Sequence, residues 1–292
     1  MEHNVQPYRS VLYMPGSRPR ALEKARTLAA DALILDLEDA VAPAEKPRAR
    51  DLVGEAVEAG GYGARRLIVR INALDTEWGL EDLERTCAAG PDAILLPKVE
   101  KPAHILRLAD LMEANGAPVR TRIWAMMETP RAMLNAPSVA GAHPRLEGFV
   151  MGTNDLVKDL GAAHTPDRTP LLASLGLCLL AARAEGLICV DGVYNAFQDQ
   201  DGLRAACVQG RDMGFDGKTL IHPGQIDAAN AAYTPPADEI ARARKIMGVF
   251  DLPENANKGV VQLDGQMVER LHVEMAKRTI AIADAIAALK AS

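Results

Sequence analysis

The sequence predicts an α/β fold of the (β/α)₈ class, a TIM barrel, with a C-terminal helix-hairpin-helix extension. Short apolar runs rich in β-branched residues alternate with longer runs that have apolar residues at helical spacing, as in repeated βα units. Eight such units can be counted, and their strands are apolar throughout, which indicates burial on both faces. Almost every strand also ends in a polar or charged residue, as strands at the mouth of a barrel do.

The eight strands are placed where the apolar runs are continuous. Their predicted ranges are 11–15, 32–36, 66–72, 93–99, 122–128, 148–155, 188–194 and 218–222. The helices between them are placed by apolar spacing and by proline near their first residues. Their predicted ranges are 19–30, 46–59, 78–89, 102–114, 130–135, 170–185, 200–213 and 224–232. A doubly wound open sheet is the alternative that this pattern leaves open.

The chain after the eighth unit has a different character. Thr234-Pro235-Pro236 marks a break, and a helical run over 237–250 follows it. A short hairpin is predicted to turn at Asp264-Gly265, because these residues accept the positive φ of a tight turn. A last helix over 270–289 closes the chain. We therefore predict a barrel domain over 1–233 and an extension over 234–292.

Composition narrows the classes of protein. The 292 residues are 48% hydrophobic and 25% charged, which is ordinary for a globular protein. The net charge of −6 provides no basic stripe, so nucleic acid is not expected as a partner. No apolar segment has the length of a signal peptide or membrane span, so we expect a cytoplasmic protein without membrane contact. The four cysteines lack metal-type spacing and are expected to be buried thiols.

The polar ends of the strands are the candidate active site. They are Asp36-Leu37-Glu38-Asp39, Arg70-Ile71-Asn72, Lys98, Glu128, Asn154-Asp155, Asp191 and His222. In barrel enzymes the catalytic groups lie at the carboxyl ends of the strands. So many charges at equivalent positions indicate one shared site.

Glu128 and Asp155 follow adjacent strands, so their carboxylates are expected to face one another. Carboxylate oxygens and retained waters are the ligands that Mg²⁺ prefers, and Mn²⁺ accepts similar ones. The alternative is that each carboxylate pairs with Arg70 or Lys98 without a metal.

Arg70 ends the third strand and is expected to face the same mouth. Its planar guanidinium suits a two-point contact with a carboxylate or enolate oxygen of a substrate. Neutralisation of Asp36 or Glu38 is the alternative role. Near the first strand, Arg18 and Lys24 flank a helix start and either bind phosphates or are surface charges.

Taken together, these strings resemble the citrate lyase β-subunit/malyl-CoA lyase family, within the HpcH/HpaI aldolase superfamily. The matching strings run along the whole barrel: Arg9-Ser10 with Pro15-Gly16-Ser17-Arg18, Asp36-Leu37-Glu38-Asp39-Ala40-Val41 with Lys46, Val69-Arg70-Ile71-Asn72, Leu96-Pro97-Lys98, Met127-Glu128-Thr129, Gly152-Thr153-Asn154-Asp155-Leu156 and Ile221-His222-Pro223.

The resemblance implies a role for each matched residue. It implies that Glu128 and Asp155 bind Mg²⁺, that Glu128 also contacts the substrate, and that Arg70 polarises an acyl oxygen. Glu38 and Asp39 would orient metal-bound waters. Contacts with substrate and coenzyme A are implied for Tyr13, Arg18, Lys24, Asn154, Ile221 and His222. The resemblance also implies a homotrimer or hexamer in which the extension covers a neighbouring subunit's active site.

One position departs from the family pattern. Family lyases have an aspartate after Met-Val or Met-Ile in the extension, where it acts as acid/base, whereas here Met267-Val268 precedes Glu269. The extra methylene moves the carboxylate, and a shift of about 1 Å can slow a proton transfer about 10²-fold. The tail and the run Asp191-Gly192-Val193-Tyr194-Asn195 are most similar to the (3S)-malyl-CoA thioesterase branch.

The function expected from this resemblance is Mg²⁺-dependent hydrolysis of (3S)-malyl-CoA to malate and coenzyme A, with Glu269 as base. The alternatives are a malyl-, citramalyl- or β-methylmalyl-CoA lyase, which cleaves a C–C bond, a pyruvate-type class II aldolase, or a citrate lyase β subunit.

Overall fold

The structure is a computed structural model that describes residues 6–255 and 257–291. It divides into two compact units: Tyr8–Tyr233 is one, and the described chain from Thr234 onward, with residues 6 and 7, is the other. Residues 1–5, which the sequence assigns to the barrel domain, lie outside the described residues.

The first unit is a closed barrel of eight parallel strands in sequential order. The strands are β1 (Ser10–Pro15), β2 (Ala32–Asp36), β3 (Arg66–Arg70), β4 (Ala93–Leu96), β5 (Arg122–Met127), β6 (Leu146–Met151), β7 (Ile188–Asp191) and β8 (Gly217–Leu220). Pairing of β1 with β8, from Ser10 opposite Lys218 to Leu12 opposite Leu220, closes the ring. The predicted barrel is confirmed, and the open sheet is excluded.

Nine helices surround these strands in the described part of the unit. They are α1 (Pro19–Ala25), α2 (Lys46–Ala59), α3 (Gly79–Ala89), α4 (Pro102–Ala114), α5 (Pro130–Ala140), α6 (Thr153–Leu160), α7 (Leu172–Ala184), α8 (Gln200–Met213) and α9 (Ile226–Tyr233). Helix α5 continues five residues past its predicted end, with Pro137 inside it.

Helix α6 was not predicted, and the sixth strand is shorter than its predicted range. Strand β6 ends at Met151, and the backbone N–H of Gly152 bonds to the Met127 carbonyl. Gly152 then caps a helix whose Leu156 and Val157 are buried. Asn154 and Asp155 therefore lie in the first turn of a helix and not at the end of a strand. The short helix was masked by the apolar run that precedes it.

Side chains alternate along each strand between the barrel interior and the surrounding helices. Leu33, Leu35 and Val69 belong to the cluster that packs against the helices, whereas Ile34 and Ile68 belong to the interior cluster. The same period of two turns the next residues, Asp36 and Arg70, toward the interior at the carboxyl end. Continuous apolar strands thus place a few polar groups inside the barrel.

Asp191 does not follow the prediction that it faces the mouth. Its neighbour Val190 faces the barrel interior, so the fully buried Asp191 carboxylate points outward. There Lys218 Nζ and Arg168 Nη1 donate hydrogen bonds to it, at 2.8 and 2.7 Å. The two cations hold its pKa below the usual range, although burial acts to raise it. This cluster ties β7 and β8 to the loop before α7 and is structural.

The second unit contains a helix, a hairpin and a helix, as predicted. They are α10 (Ala237–Asp251), β9 (Val260–Leu263), β10 (Gln266–Glu269) and α11 (Arg270–Ala291). Asp264 and Gly265 have φ values of 48° and 79°, the left-handed conformation of a tight turn. Ile246, Phe250 and Val268 are buried together in this unit.

The structure tests two predictions that were made from composition, one on membrane spans and one on the cysteines. In the described part of the chain, no helix combines the length and apolar character that crossing a membrane requires. Cys87, Cys178, Cys189 and Cys207 are all buried free thiols, as predicted. The cytoplasmic location stays a prediction.

Candidate active site

A cavity of about 290 Å³ opens at the carboxyl ends of the barrel strands. It brings together many of the predicted site residues: Tyr13, Asp39, Arg70, Glu128, Asn154, Asp155 and Ile221. Asp36, one of the polar strand ends, also lines it. Met126, Met151 and Val193 line it as well, although the sequence did not indicate them as site residues. The side-chain period of the strands explains the convergence. Near their carboxyl ends, β1, β2, β3 and β5 each direct a side chain into the barrel interior: Tyr13, Asp36, Arg70 and Met126.

Arg70 and Asp36 form a two-point ion pair in the cavity. Arg70 Nε donates to Asp36 Oδ1 and Nη2 donates to Oδ2, both at 2.7 Å, and both residues are buried. Nη1 lies 2.9 Å from Glu38 Oε2 and 3.5 Å from Asp39 Oδ2. The two-point contact expected for a substrate is therefore made with Asp36, which was the alternative role. The guanidinium also lies 4.8 Å from the centre of the Tyr13 ring.

Glu38 is buried beside this pair but does not line the cavity. Its Oε2 lies within ion-pair distance of Arg70 but makes no aligned hydrogen bond. Burial raises the pKa of Glu38 from 4.5 to about 8, against the lowering effect of Arg70, with Asp39 and Glu128 adding to the rise. In the absence of a cation this carboxyl group holds a proton at neutral pH.

Lys46 and Asn72 fix the loop that follows β2. The buried Lys46 ammonium donates to the carbonyls of Leu37 and Glu38 and to Asn72 Oδ1, at 2.9, 2.8 and 2.7 Å. Asn72 Nδ2 donates back to the Leu37 carbonyl. Both residues were matched to the family pattern, but no pattern in the sequence indicated that their side chains bind backbone carbonyls.

Glu128 follows β5 and is almost fully buried. The backbone N–H of Lys98 donates to its Oε1 at 2.7 Å. Burial raises the pKa of Glu128 from 4.5 to about 7, and the nearby charge of Asp155 contributes to the rise. The carboxylate thus lies where its charge is poorly compensated by the protein.

Asp155 pairs with neither Arg70 nor Lys98 among the ion pairs of the described residues. It lies in the first turn of α6, and Lys158, one turn later, donates to its Oδ1 at 2.8 Å. The Lys158 side chain is 67% exposed, so solvent competes strongly for this pair. Asp155 therefore remains available to a cation in the cavity.

The charges of the cavity suit a divalent cation. Four of its lining side chains are acidic, Asp36, Asp39, Glu128 and Asp155, and Arg70 is the basic one. No group of three or more His, Cys, Asp or Glu side chains that could hold a metal ion is found across residues 6–255 and 257–291. A cation here would have two carboxylates and several waters as ligands, which fits Mg²⁺ and not a structural zinc site.

The remaining predicted residues lie outside the lining of this cavity. Arg18 and Lys24 are exposed, Arg18 at the residue before α1 and Lys24 within it. His222 accepts a hydrogen bond from Gly224 N–H at its Nδ1, and its ring stacks on Phe197 with centroids 4.9 Å apart. Asn154, which does line the cavity, exchanges hydrogen bonds with Asn195. Glu269 is exposed at the end of β10 in the second unit.

A closed parallel barrel with charged side chains converging at the carboxyl ends of its strands is the architecture of TIM-barrel enzymes. A family model described as HpcH/HpaI aldolase/citrate lyase matches residues 9–223, and the chain belongs to this family. The family predicted from the sequence is thereby confirmed.

Relatives within the family agree with the predicted branch. A protein of Cereibacter sphaeroides named (3S)-malyl-CoA thioesterase is 56% identical over 292 residues, which is all of both chains. A citrate lyase subunit beta of Leuconostoc mesenteroides subsp. cremoris is 35% identical over 97% of this chain and 95% of its own length. A solved structure of the CitE protein of Mycobacterium tuberculosis, in complex with magnesium, acetoacetate and coenzyme A, matches with a TM-score of 0.77 and 30% identity, over 97% of this chain and 100% of that one.

Proposed function

We propose that this protein hydrolyses (3S)-malyl-CoA to malate and coenzyme A with the help of Mg²⁺. The observation that carries the proposal is the convergence of Glu128, Asp155 and Arg70 on one cavity. The chain that forms this cavity is also 56% identical, over its full length, to relatives named for this reaction.

Glu128 and Asp155 would hold the cation through one carboxylate each. Bound there, Mg²⁺ supplies a Lewis acid that stabilises negative charge on a substrate oxygen, and Mn²⁺ has similar ligand preferences. The raised pKa of Glu128 supports this role, because an acidic group that is poorly compensated by the protein gains most from a cation.

Arg70 would stabilise the acyl oxygen, and Asp36 holds the Arg70 guanidinium in one orientation. The Nε and Nη2 contacts with Asp36 fix the plane of the guanidinium. Nη1 is then directed at the loop after β2, which carries Glu38 and Asp39. Asp39 contacts Nη1 at 3.5 Å and is 62% exposed, so a substrate carboxylate or carbonyl can displace it at low cost. Glu38 and Asp39 would orient waters at the cation.

Hydrolysis needs a water molecule activated next to the thioester carbon. We assign the base to Glu269, contributed by the extension of a neighbouring chain in a homotrimer or hexamer. Glu269 would take a proton from water as the oxygen adds to the carbonyl carbon, and the C–S bond would then break. The proton passes to the departing thiolate, which leaves as coenzyme A, and the acyl group leaves as malate.

The thioester's coenzyme A part would lie across the β1 and β8 side of the mouth. Tyr13 and Ile221 line the cavity there, and Asn154 lines it from the first turn of α6. Arg18, Lys24 and His222 are exposed and close in sequence to β1 or β8. The basic side chains would meet phosphates, and the apolar ones would meet the pantetheine arm.

A second candidate is C–C cleavage of the same thioester to acetyl-CoA and glyoxylate. The similarity to citrate lyase β subunits over almost the whole chain favours it. The two reactions share the cation and the arginine and differ in what the base deprotonates.

The deciding experiment is incubation of the purified protein with (3S)-malyl-CoA and Mg²⁺, followed by separation of the products. Malate and free coenzyme A in equal amounts are expected. Glyoxylate and acetyl-CoA as the main products would overturn the proposal in favour of the lyase. A hydroxy-2-oxo acid offered without coenzyme A should not react, which distinguishes both candidates from a pyruvate-type aldolase, because such an aldolase acts on that compound directly.

A further inference from the structure

Lys98 adopts a backbone conformation that is unusual for its residue type. Its φ is 53°, in the left-handed region that residues with a Cβ rarely enter, and it follows Pro97 just after β4. In this conformation its N–H donates to Glu128 Oε1 at 2.7 Å. The Lys98 side chain itself is exposed, so the unusual conformation serves the backbone and not the ammonium group.

Gly152 confines the same carboxylate from the other side. A Cβ atom on Gly152 would clash with Glu128 Cβ and would lie 2.5 Å from Oε2. Only glycine lets the backbone approach so closely, and Oε2 is thereby held next to the N-cap residue of α6. Asp155, the other proposed ligand, lies in the first turn of that helix.

We infer that the backbone N–H of Lys98 reserves Oε1 of Glu128, so that Glu128 offers a cation a single oxygen, Oε2, and the site favours Mg²⁺ over Ca²⁺. This rests on the proposed function only in taking Glu128 as a metal ligand. Lys98 is then a positioning residue that acts through its main chain.

The physical reason lies in the different demands of the two ions. Mg²⁺ is small, requires nearly octahedral geometry, and is bound through one or two carboxylates with retained waters. Ca²⁺ takes six to eight oxygens and often uses both oxygens of a carboxylate. An oxygen that already accepts a hydrogen bond has less electron density to offer a cation, so this carboxylate is less suited than a free one to chelate Ca²⁺ through both oxygens.

Three substitutions at Lys98 separate the conformation from the charge. Lys98→Gly, Lys98→Gln and Lys98→Val all remove the ammonium group, so they are compared with one another at equal charge. Glycine adopts a positive φ freely, and glutamine adopts it at about the same free-energy cost as lysine. The β-branched valine strongly disfavours a positive φ. Gly152→Ala disturbs the same carboxylate from the opposite side.

The measurement is Mg²⁺ and Ca²⁺ binding by titration calorimetry, without substrate. We expect the glycine and glutamine variants to bind Mg²⁺ alike and the valine variant about tenfold more weakly. The ratio of Ca²⁺ to Mg²⁺ affinity should rise in the valine variant, because Oε1 becomes free to chelate. A general loss of structure would weaken the binding of both ions and leave the ratio of the two affinities unchanged.

Folding is checked by circular dichroism and thermal unfolding in the same buffers. If the valine variant does not fold, Gly152→Ala provides the comparison, and it should also weaken Mg²⁺ binding. Equal Mg²⁺ affinity and equal ion preference in folded valine and glutamine variants would overturn the inference. Because no substrate is present, that outcome leaves the proposed hydrolysis untouched, and a lyase product pattern leaves the inference untouched.

Discussion

Arg70 meets Asp36 through two parallel hydrogen bonds of 2.7 Å at the carboxyl ends of β3 and β2. Both side chains are buried, and Asp36 also accepts hydrogen bonds from the backbone N–H groups of Glu38 and Ala40. One carboxylate therefore fixes both the arginine proposed to stabilise the acyl oxygen and the loop that carries two further acidic groups.

Replacing Asp36 by asparagine should destabilise the protein and impair Arg70. Breaking a buried ion pair by neutralising one partner costs about 3–5 kcal/mol, because the other charge is left buried without compensation. Urea unfolding measures the loss. The matched control is Asp201→Asn, which breaks an exposed pair with Arg204 and should cost less than about 1 kcal/mol. Similar losses in both variants would contradict the role of the buried pair.

Neutralising either proposed ligand should weaken Mg²⁺ binding. Glu128→Gln and Asp155→Asn are each expected to lower the affinity at least about tenfold, because each removes one of two protein carboxylates. Lys158→Ala should act in the opposite direction, since it removes a cation that competes for Asp155. Calorimetry on the three variants tests the signs, and unchanged affinity in both carboxylate variants would rule out this cation site.

The stability of the metal-free protein should fall as the pH rises from about 5 to 8. Burial raises the pKa of Glu38 from 4.5 to about 8, so the folded protein holds a proton that the unfolded chain releases. The associated stability is complete below pH 4.5 and is lost as the pH passes 8. Glu38→Gln should flatten this dependence, and the slope that remains should centre on Glu128, whose pKa is about 7. Melting temperatures in a chelator across this pH range give the test, and an equal slope in wild type and variant would contradict it.

Glu269→Asp should shift the products from hydrolysis toward C–C cleavage. The shorter side chain restores the residue type of the family lyases, and a displacement of about 1 Å changes proton-transfer rates by about 10²-fold. The ratio of glyoxylate to malate measures the shift. If that ratio does not rise and hydrolysis does not fall, Glu269 is not the base.

Mixing two inactive variants tests whether Glu269 acts on a neighbouring chain. Glu128→Gln lacks a proposed metal ligand and Glu269→Gln lacks the proposed base, so hybrid oligomers contain some sites with both groups intact. Co-expression should recover part of the hydrolysis, whereas either variant alone should not. No recovery in verified hybrids would place the base and the cation site in the same chain.

The local pattern was enough to predict most of the fold. The eight strands are short, continuous and apolar because they are buried on both faces, and this separated them from the helices that follow. The Asp264-Gly265 turn was equally predictable, because the preference of these two residue types for a tight turn does not depend on distant parts of the chain. Helix α6 was missed because its eight residues directly follow β6 and show too few turns for their spacing to stand out.

The candidate site was predicted in its residues but not in its contacts. The strand ends identified Glu128, Asp155 and Arg70, and all three line one cavity. The same reasoning placed Asp191 at the mouth, although the alternation along β7 turns it toward Lys218 and Arg168. A shift of one residue along a strand reverses the direction of a side chain, and the sequence fixes strand ends less closely than that.

By itself, the sequence determined the eight βα units, the hairpin-bearing extension and the set of charged groups at the carboxyl ends of the strands. These follow from periodicity and turn chemistry, which depend on neighbours in the chain. Tertiary structure alone decided that Asp36 holds Arg70, that Lys46 holds the loop after β2, and that Lys98 bonds to Glu128 through its main chain. These pairs join residues 8 to 34 positions apart, and their partners are chosen by burial and hydrogen-bond geometry once the barrel has closed.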